Sequence, residues 1–285
     1  MSSINTNIAS MNAQRSLASS QSSLQTSMSR LASGLRVNSA RDDAAGLAIA
    51  ERMNSQVRGM NVAIRNANDG ISYAQTAEGA LARVGDSLQR MRELAVQARN
   101  ATNTAQDQDS LQNEYSQLQA EITRVLGGTT FNGQTIFSQA SNLEFQVGAG
   151  TTTNDRVSVT IASAYNANTS ITNATAGTAI IGDTASTTAV AGTAIDAVIA
   201  GIDVAIDSVN SERAVWGATQ NRFQAVISNL QVSVENQSAA RSRIMDANFA
   251  EETSNLSRSQ ILQQAGNAMV AQANQLPQLV LQLLR

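Results

Sequence analysis

Among the side chains that do chemistry in proteins, this sequence offers carboxylates, hydroxyls and guanidinium groups. Its 285 residues contain no Cys and no His, and all 19 basic residues are Arg, so Lys is absent too. That removes thiolate nucleophiles, the usual zinc ligands, the commonest general base and Schiff-base lysines. A carboxylate-only reaction needs two acids facing each other in a cleft, and no such pair stands out. Asp42-Asp43 could coordinate a cation, but no further oxygen ligands cluster near it. Two acids just ahead of a helical stripe fit a helix N-terminus better. No catalytic residue, cofactor or metal is expected.

The composition points the same way. Charged residues are 14% of the chain, against roughly 25% in an average globular protein, and the net charge is −3. Ser, Thr, Asn and Gln make up the difference, so the surface is polar but weakly self-repelling, which suits a chain that meets copies of itself. The negative balance and scattered Arg residues disfavour nucleic acid. No run approaches the roughly 18 apolar residues of a membrane span, so membrane insertion is not expected. Residues 1–14 carry no basic side chain and no apolar run follows Met1, so no cleavable secretory signal is expected.

The elements are mostly long helices. Leu24, Met28, Leu31 and Leu35 are spaced 4, 3, 4 and predict a weak first helix rich in Ser and Asn. Met53, Val57, Met60, Ile64, Ala67, Ile71 and Ala74 continue through Leu81, Leu88 and Ala95, predicting a helix of about 50 residues whose seam shifts between Glu78 and Gly85. A third helix runs from about Asp107 to Leu126, with Gly127-Gly128 as its stop. Phe131-Asn132-Gly133 reads as a turn, and the alternations Leu143/Phe145/Val147 and Val157/Val159/Ile161 read as a hairpin. Residues 162–192, mostly Ala, Thr, Ser, Gly and Asn, predict a short, exposed, variable surface insert. Ile195, Ile202, Val209, Trp216, Phe223 and Leu230, seven apart, begin a fourth long helix. Leu276, Leu279, Val280 and Leu283 mark an amphipathic C-terminal segment, in which Pro277 is expected to begin a new helix. The fold class is therefore mainly α: long antiparallel helices from the N- and C-terminal halves forming a coiled-coil rod, with a small β-hairpin region in the middle. Both termini are apolar-striped and unsupported, and the simplest partner for one is the other.

Several runs go beyond pattern. Residues 36–49 (RVNSARDDAAGLAI), Asn68-Asp69-Gly70-Ile71-Ser72, Gln75 to Leu81, Ser238 to Ile244, Gln260 to Ala265 and Ala271-Gln272-Ala273-Asn274 closely resemble signatures of bacterial flagellins, in the right order along the chain. The resemblance spans about residues 1–160 and 195–285. It implies a near-minimal, non-enzymatic filament subunit. Residues 1–42 and 240–285 would form an inner-core coiled coil, disordered in the monomer. Residues 43–161 and 193–239 would form a helical shell, and 162–192 would replace larger outer domains. Leu24, Met28, Leu31, Leu35, Leu276, Leu279, Val280, Leu283 and Leu284 would be inner-core assembly residues. The resemblance also implies a homopolymer, export without a cleavable signal to an extracellular flagellum, and an export chaperone, cap and junction proteins as partners. The nearest alternative is the hook–filament junction protein, which has similar ends. Gln89 to Val96 resembles the family segment recognised by vertebrate Toll-like receptor 5, with Met91 where Val is usual. Gln89, Arg90, Arg92, Glu93, Leu94 and Val96, with Glu114, are the residues implied for that recognition and for subunit contacts. Arg41 stands where relatives often have Lys, and Asn248 where an acid is common.

Overall fold

A computed structural model describes residues 6–137, 142–160, 169–177, 179–183 and 189–283, without the side chains of residues 160, 169, 170 and 276–283. The elements in chain order are α1 (Ile8–Ser33), α2 (Ala44–Ala98), α3 (Ala105–Gly128), β1 (Thr130–Phe131), β2 (Gln134–Thr135), β3 (Asn142–Gln146), β4 (Arg156–Thr160), α4 (Thr169–Thr175), α5 (Gly192–Met245) and α6 (Phe249–Leu283). Their contacts divide the chain into two compact units, one of Met1–Val57 with Glu235–Arg285 and the other of Arg58–Val234.

The ends of these helices follow from local chemistry. Gly34, at φ 72°, closes α1 by donating its N–H to the Arg30 carbonyl, a left-handed cap that glycine adopts without strain. Asp43 Oδ1 accepts from the Gly46 N–H at the start of α2, 2.8 Å away. Thr104 and Asp107 form a reciprocal capping box on α3. Asn248 Oδ1 accepts from the Ala250 N–H as α6 begins. Beyond Pro277 α6 continues to Leu283, so no new helix starts there.

In the larger unit, α2 and α5 run antiparallel. Arg99 meets Asp196, Arg92 meets Asp203, and Gly70 meets Phe223. The buried line of α2 is Met60, Ala63, Ala67, Gly70, Ala74, Ala77, Leu81, Val84, Leu88, Met91, Ala95 and Ala98, an unbroken alternation of threes and fours. The expected seam shift near Glu78 is therefore absent. The larger Ile64 and Ile71 suggested a different stripe, but they are only half-buried, whereas Ala63 and Gly70 line the core. Small residues occupy the upper part of this seam because α5 and β3 fill the space from the other side. Tyr73, Phe131, Phe145, Trp216 and Phe223 form one cluster, with ring centroids 5.2–6.0 Å apart and mostly edge-on. Each such pair contributes about 0.5–1.5 kcal/mol beyond area burial.

Two antiparallel hairpins cap this core. β1 and β2 join through Asn132 (φ 49°) and Gly133 (φ 79°), the two positive-φ positions that a two-residue hairpin turn requires. β3 pairs with β4 from Asn142↔Thr160 to Gln146↔Arg156. The loop beyond β3 seats on α2. Asn66 Nδ2 donates to the Gln146 carbonyl at 3.0 Å, and Ala149 packs so tightly on Gly59 that a Cβ there would lie 2.8 Å from the alanine methyl.

Residues 162–192 depart in part from the expected exposed insert: Asn173, Gly177, Ala189 and Ala191 are exposed, but other described residues are not. Ile171, Ala174 and Ile181 are buried in the core. Three buried glutamines on α3 hold the segment by its backbone. Gln119 Nε2 faces the carbonyls of Ala174, Ala176 and Ala179 at 3.3 Å. Gln112 Oε1 accepts from the N–H groups of Ile181 and Gly182. Gln108 Oε1 accepts from Val190 N–H at 2.8 Å. Low hydrophobicity did not mean exposure here, because carboxamide-to-backbone bonds satisfy the polar groups that burial would otherwise strand.

In the other unit, α1 and α6 pack antiparallel: Asn7 meets Ala273, Leu17 meets Gly266, and Arg30 meets Glu252. The inward positions of α1 are Ser10, Ala13, Leu17, Ser20, Leu24, Ser27, Leu31 and Gly34, and those of α6 are Glu252, Leu256, Ser259, Gln263, Gly266, Val270 and Ala273. One line of each seam is made mostly of small residues. Where the chain turns from α1 toward α2, Leu35 pairs with Asp246, and Arg36 and Val37 donate to the Met245 carbonyl. Val37, Ala50 and Met245 form a small cluster there with Leu35 and Leu47.

The small-to-large fit of α2 against α5 makes a direct prediction. A Cβ on Gly70 would lie 2.7 Å from Phe223 Cζ, whereas one on Gly79 meets nothing within 4 Å. Gly79→Ala should stabilise by about 0.5–1 kcal/mol through helix propensity. Gly70→Ala should lose about 1 kcal/mol or more to overpacking, part of it recovered by adding Phe223→Leu. Denaturant melts of the three variants test this, and a Gly70→Ala protein as stable as Gly79→Ala would refute the packing account.

Candidate functional site

The segment from Gln89 to Val96 lies on α2 and is split among three environments by its helical positions. Arg90 reaches across to α3: its Nε donates to Glu114 Oε1 at 2.8 Å and its Nη1 to Glu93 Oε2 at 2.9 Å. These bonds, Glu114 first, raise the Arg90 pKa above the ordinary guanidinium value. All three side chains remain about half exposed or more. Gln89 and Val96 are exposed as well, Val96 at 50%. Arg92 points elsewhere, with its Nε donating to Asp203 Oδ1 on α5 at 2.6 Å. Leu94 is 1% exposed and belongs to the core with Leu88, Met91 and Ala95. It is therefore not a surface contact residue. Leucine carries no sign of which side of a helix it occupies, and here it falls beside the buried line. Gln89, Arg90, Glu93, Val96 and Glu114 remain exposed to solvent, as does about half of Arg92. Water competes for both partners of such exposed ion pairs, so they orient side chains more than they hold the fold.

Of the residues read as inner-core contacts, Leu24, Leu31 and Leu35 face inward and are half-buried, while Met28 is 56% exposed and Ser27 is buried in its place. The two helices approach through small residues, which leaves the longer methionine outside. Leu276, Leu279, Val280 and Leu283 lie on α6, but their side chains, and Leu284 altogether, fall outside the described residues. Sequence reasoning missed the polar members of this seam. Ser27, Glu252 and Ser259 are buried, and Arg30 Nη1 pairs with Glu252 Oε1 at 3.0 Å. The period-seven recurrence of small residues on both helices was the available signal.

Beyond the seam, α1 and α6 expose Ile8, Met11, Met28, Phe249, Ile261, Leu262 and Met269, each at least 48% accessible. A two-helix pair with this much uncovered apolar surface has faces suited to further helices. Asp42, by contrast, is a turn cap and not a cation ligand. Its Oδ2 accepts from Ser39 Oγ and from the N–H groups of Ser39 and Asn38, which lowers its pKa. Among the described residues no cluster of three acids could hold a metal. No helix among them is long and apolar enough to cross a membrane.

Residues 4–142 match the family model of the bacterial flagellin N-terminal helical region, and residues 199–284 that of the bacterial flagellin C-terminal helical region. The chain is 44% identical to flagellins of Halalkalibacterium halodurans and of Bacillus subtilis, in each case over 99% of this chain and 99% of the relative. It is 39% identical to the flagellar filament 33 kDa core protein of Treponema phagedenis, again over 99% of both. Among solved structures, a putative flagellar hook-associated protein from Vibrio parahaemolyticus has a similar fold, with a TM-score of 0.57, covering 72% of this chain and 100% of that one at 14% identity. A Bacillus cereus flagellin is 31% identical over 62% of this chain and 94% of that one, with a TM-score of 0.47.

The split of the 89–96 segment sets an expectation for alanine variants. Leu94→Ala should destabilise by about 2–5 kcal/mol by opening a core cavity. Arg90→Ala should leave the denaturation midpoint nearly unchanged, because water replaces its exposed ion pairs. Chemical denaturation separates the two, and an equally small loss at Leu94 would contradict its buried position.

Proposed function

This chain belongs to the bacterial flagellin family, and from that membership we propose that it polymerises through its α1–α6 unit into the filament that propels the cell. It is a structural filament subunit, not an enzyme. The observation that supports this mode of assembly is the contrast within α1–α6. The seam between the two helices is lined largely by small residues, while Ile8, Met11, Phe249, Ile261, Leu262 and Met269 stand exposed around it. Such a pair buries little of its apolar surface alone and gains by laying that surface against copies of itself. A head-to-tail contact that does not close on itself generates an open helical filament. In the monomer before assembly, the same shortage of buried apolar area leaves the terminal helices marginal, because isolated helices rely on packing to persist. Residues 1–42 and 240–285 are then the inner-core domain, 43–161 and 193–239 the shell, and 162–192 a shortened outer segment.

The wider partners follow from the family. The chain is exported without a cleavable signal, escorted by a flagellar export chaperone, and its polymer is bounded by junction and cap proteins. Identity to flagellins along the full length favours the filament subunit over the hook–filament junction protein. The exposed group of Gln89, Arg90, Glu93, Val96 and Glu114 is what Toll-like receptor 5 reads. Arg92 and Leu94 contribute by holding α2 in place.

Purified protein, seeded with filament fragments, should extend into long uniform filaments visible by negative-stain electron microscopy. Removing residues 276–285 should abolish extension while leaving Arg58–Val234 folded. Wild-type protein that forms only short caps on seeds would point to the junction protein, and normal filaments from the truncated chain would remove the C-terminal segment from assembly. For the receptor reading, Arg90→Ala monomer that is fully folded should lose most receptor-dependent signalling. Unchanged signalling would dismiss that reading.

A further inference from the structure

The chain contains one Asn-Gly dipeptide, and it forms the whole of the turn between β1 and β2. Asn132 at φ 49° and Gly133 at φ 79° are both exposed, and the turn selects them because asparagine and glycine tolerate positive φ best. The same choice leaves the turn open to reaction. A backbone nitrogen can attack the carboxamide carbon of the residue before it, and a side chain on the attacking residue shields that nitrogen. Gly133 has no side chain, and a Cβ built there would meet nothing within 4 Å, so no neighbour covers it from that side. Among the described residues neither the Asn132 carboxamide nor the Gly133 N–H has a hydrogen-bond partner. The three Asn-Ser dipeptides are placed differently. Asn38 Nδ2 donates to Ser29 Oγ, and the Ser39 N–H donates to Asp42 Oδ2. Asn54-Ser55 lies inside α2 and Asn210-Ser211 inside α5, where each backbone N–H is held by a carbonyl four residues earlier.

We propose that Asn132 is a self-modifying site, where the chain deamidates without an enzyme at a rate set by opening of the β1–β2 hairpin. The Gly133 nitrogen gives its proton to solvent and bonds to Asn132 Cγ. The Cγ–Nδ2 bond breaks, and the amide nitrogen takes up a proton and leaves as ammonia, closing a succinimide ring. One water then opens the ring. Breaking the bond from the Gly133 nitrogen to Cγ gives aspartate. Breaking its bond to the Asn132 carbonyl carbon gives isoaspartate, with the backbone rerouted through Cγ. The sequence consumes one water, releases one ammonia and involves no redox change. Closing the ring rotates the backbone out of the paired turn, so it waits on local opening. That opening is easy in a hairpin of two two-residue strands, anchored by Phe131, whose ring meets Tyr73 at 5.4 Å. The two products then diverge. Aspartate tolerates the left-handed region much as asparagine does and keeps the turn, adding one negative charge to a chain of net −3. Isoaspartate adds a backbone methylene that a two-residue turn cannot hold, which loosens Phe131 from the aromatic cluster.

Purified full-length protein, kept folded at mildly alkaline pH, tests this. Deamidation is read site by site through peptide mapping by mass spectrometry, and isoaspartate is counted by enzymatic carboxyl methylation. Asn132 should react about tenfold or more faster than Asn38, Asn54 and Asn210, and about tenfold faster again once the chain is unfolded in guanidinium. Phe131→Leu, which weakens the anchor, should raise the folded rate toward the unfolded one. Reaction at Asn132 no faster than at the three Asn-Ser sites would overturn the proposal. A folded rate equal to the unfolded rate, or one unmoved by Phe131→Leu, would overturn the gating by the hairpin.

Discussion

The close approach of α5 to the small-residue face of α2 is the contact on which the Arg58–Val234 unit depends. Ala63, Ala67, Gly70, Ala74 and Ala77 leave a shallow channel along α2, and Phe223 and Trp216 from α5 fill it together with Phe145 from β3. Fully burying an aromatic side chain of this size contributes about 1.5–3 kcal/mol, and the gain requires that the facing residue be small. The aromatic cluster in turn positions the hairpins, since Phe131 and Phe145 reach Tyr73 from β1 and β3. The chain has only nine aromatic residues, and five of them meet here. A composition that looks poor in core-forming side chains is therefore concentrated where two long helices and both hairpins converge.

The α1–α6 pair uses the same small-residue device to a different end. Small residues on α2 make room for large ones, whereas in α1–α6 Ser20, Ser27, Ser259, Gly266 and Ala273 chiefly bring two backbones together. Burying a serine adds little apolar area, and its hydroxyl must still find a partner. Several hydroxyls on α1 find one in their own helix, as Ser20, Ser23 and Thr26 do by donating to carbonyls four residues back. That local bonding competes slightly with the helix itself. The Arg58–Val234 unit thus has a filled core, while the α1–α6 unit has a tight seam with apolar side chains outside it.

Which features the sequence disclosed follows from what kinds of force leave a trace in residue type. The long helices, the Asp43 cap and the Asn132-Gly133 turn were legible, because heptad spacing and backbone geometry restrict which residues can stand there. The true core line of α2 was not, because Ala63 and Gly70 register weakly beside Ile64 and Ile71 in any count of hydrophobicity. The burial of Ile171 and Ile181 was hidden for another reason. Gln108, Gln112 and Gln119 hold that segment through its backbone, which places no demand on most of its side chains. Gly182 is the exception, since a Cβ there would collide with the Gln108 carbonyl. In the 89–96 segment residue type did not disclose facing, which is why Leu94 and Arg90 were grouped although one is core and the other surface.

Polar side chains fix position throughout this chain where apolar ones supply attraction. Arg90 ties α2 to α3, Arg92 and Arg99 tie α2 to α5, the glutamines of α3 tie down the backbone at Ala174, Ala179, Ile181 and Val190, and Arg30 ties α1 to α6. The exposed ties are individually weak, because water competes for both partners. They matter through geometry: long heptad helices can slide by a whole repeat with little change in apolar contact, and a charged pair at one level is lost on sliding. The Arg30–Glu252 tie differs from the exposed ion pairs in that Glu252 is buried, so its mismatch penalty is larger and its control over register stronger. A protein that assembles by repetition needs that control more than it needs additional stability, since an error in register at one subunit is inherited by every subunit added after it.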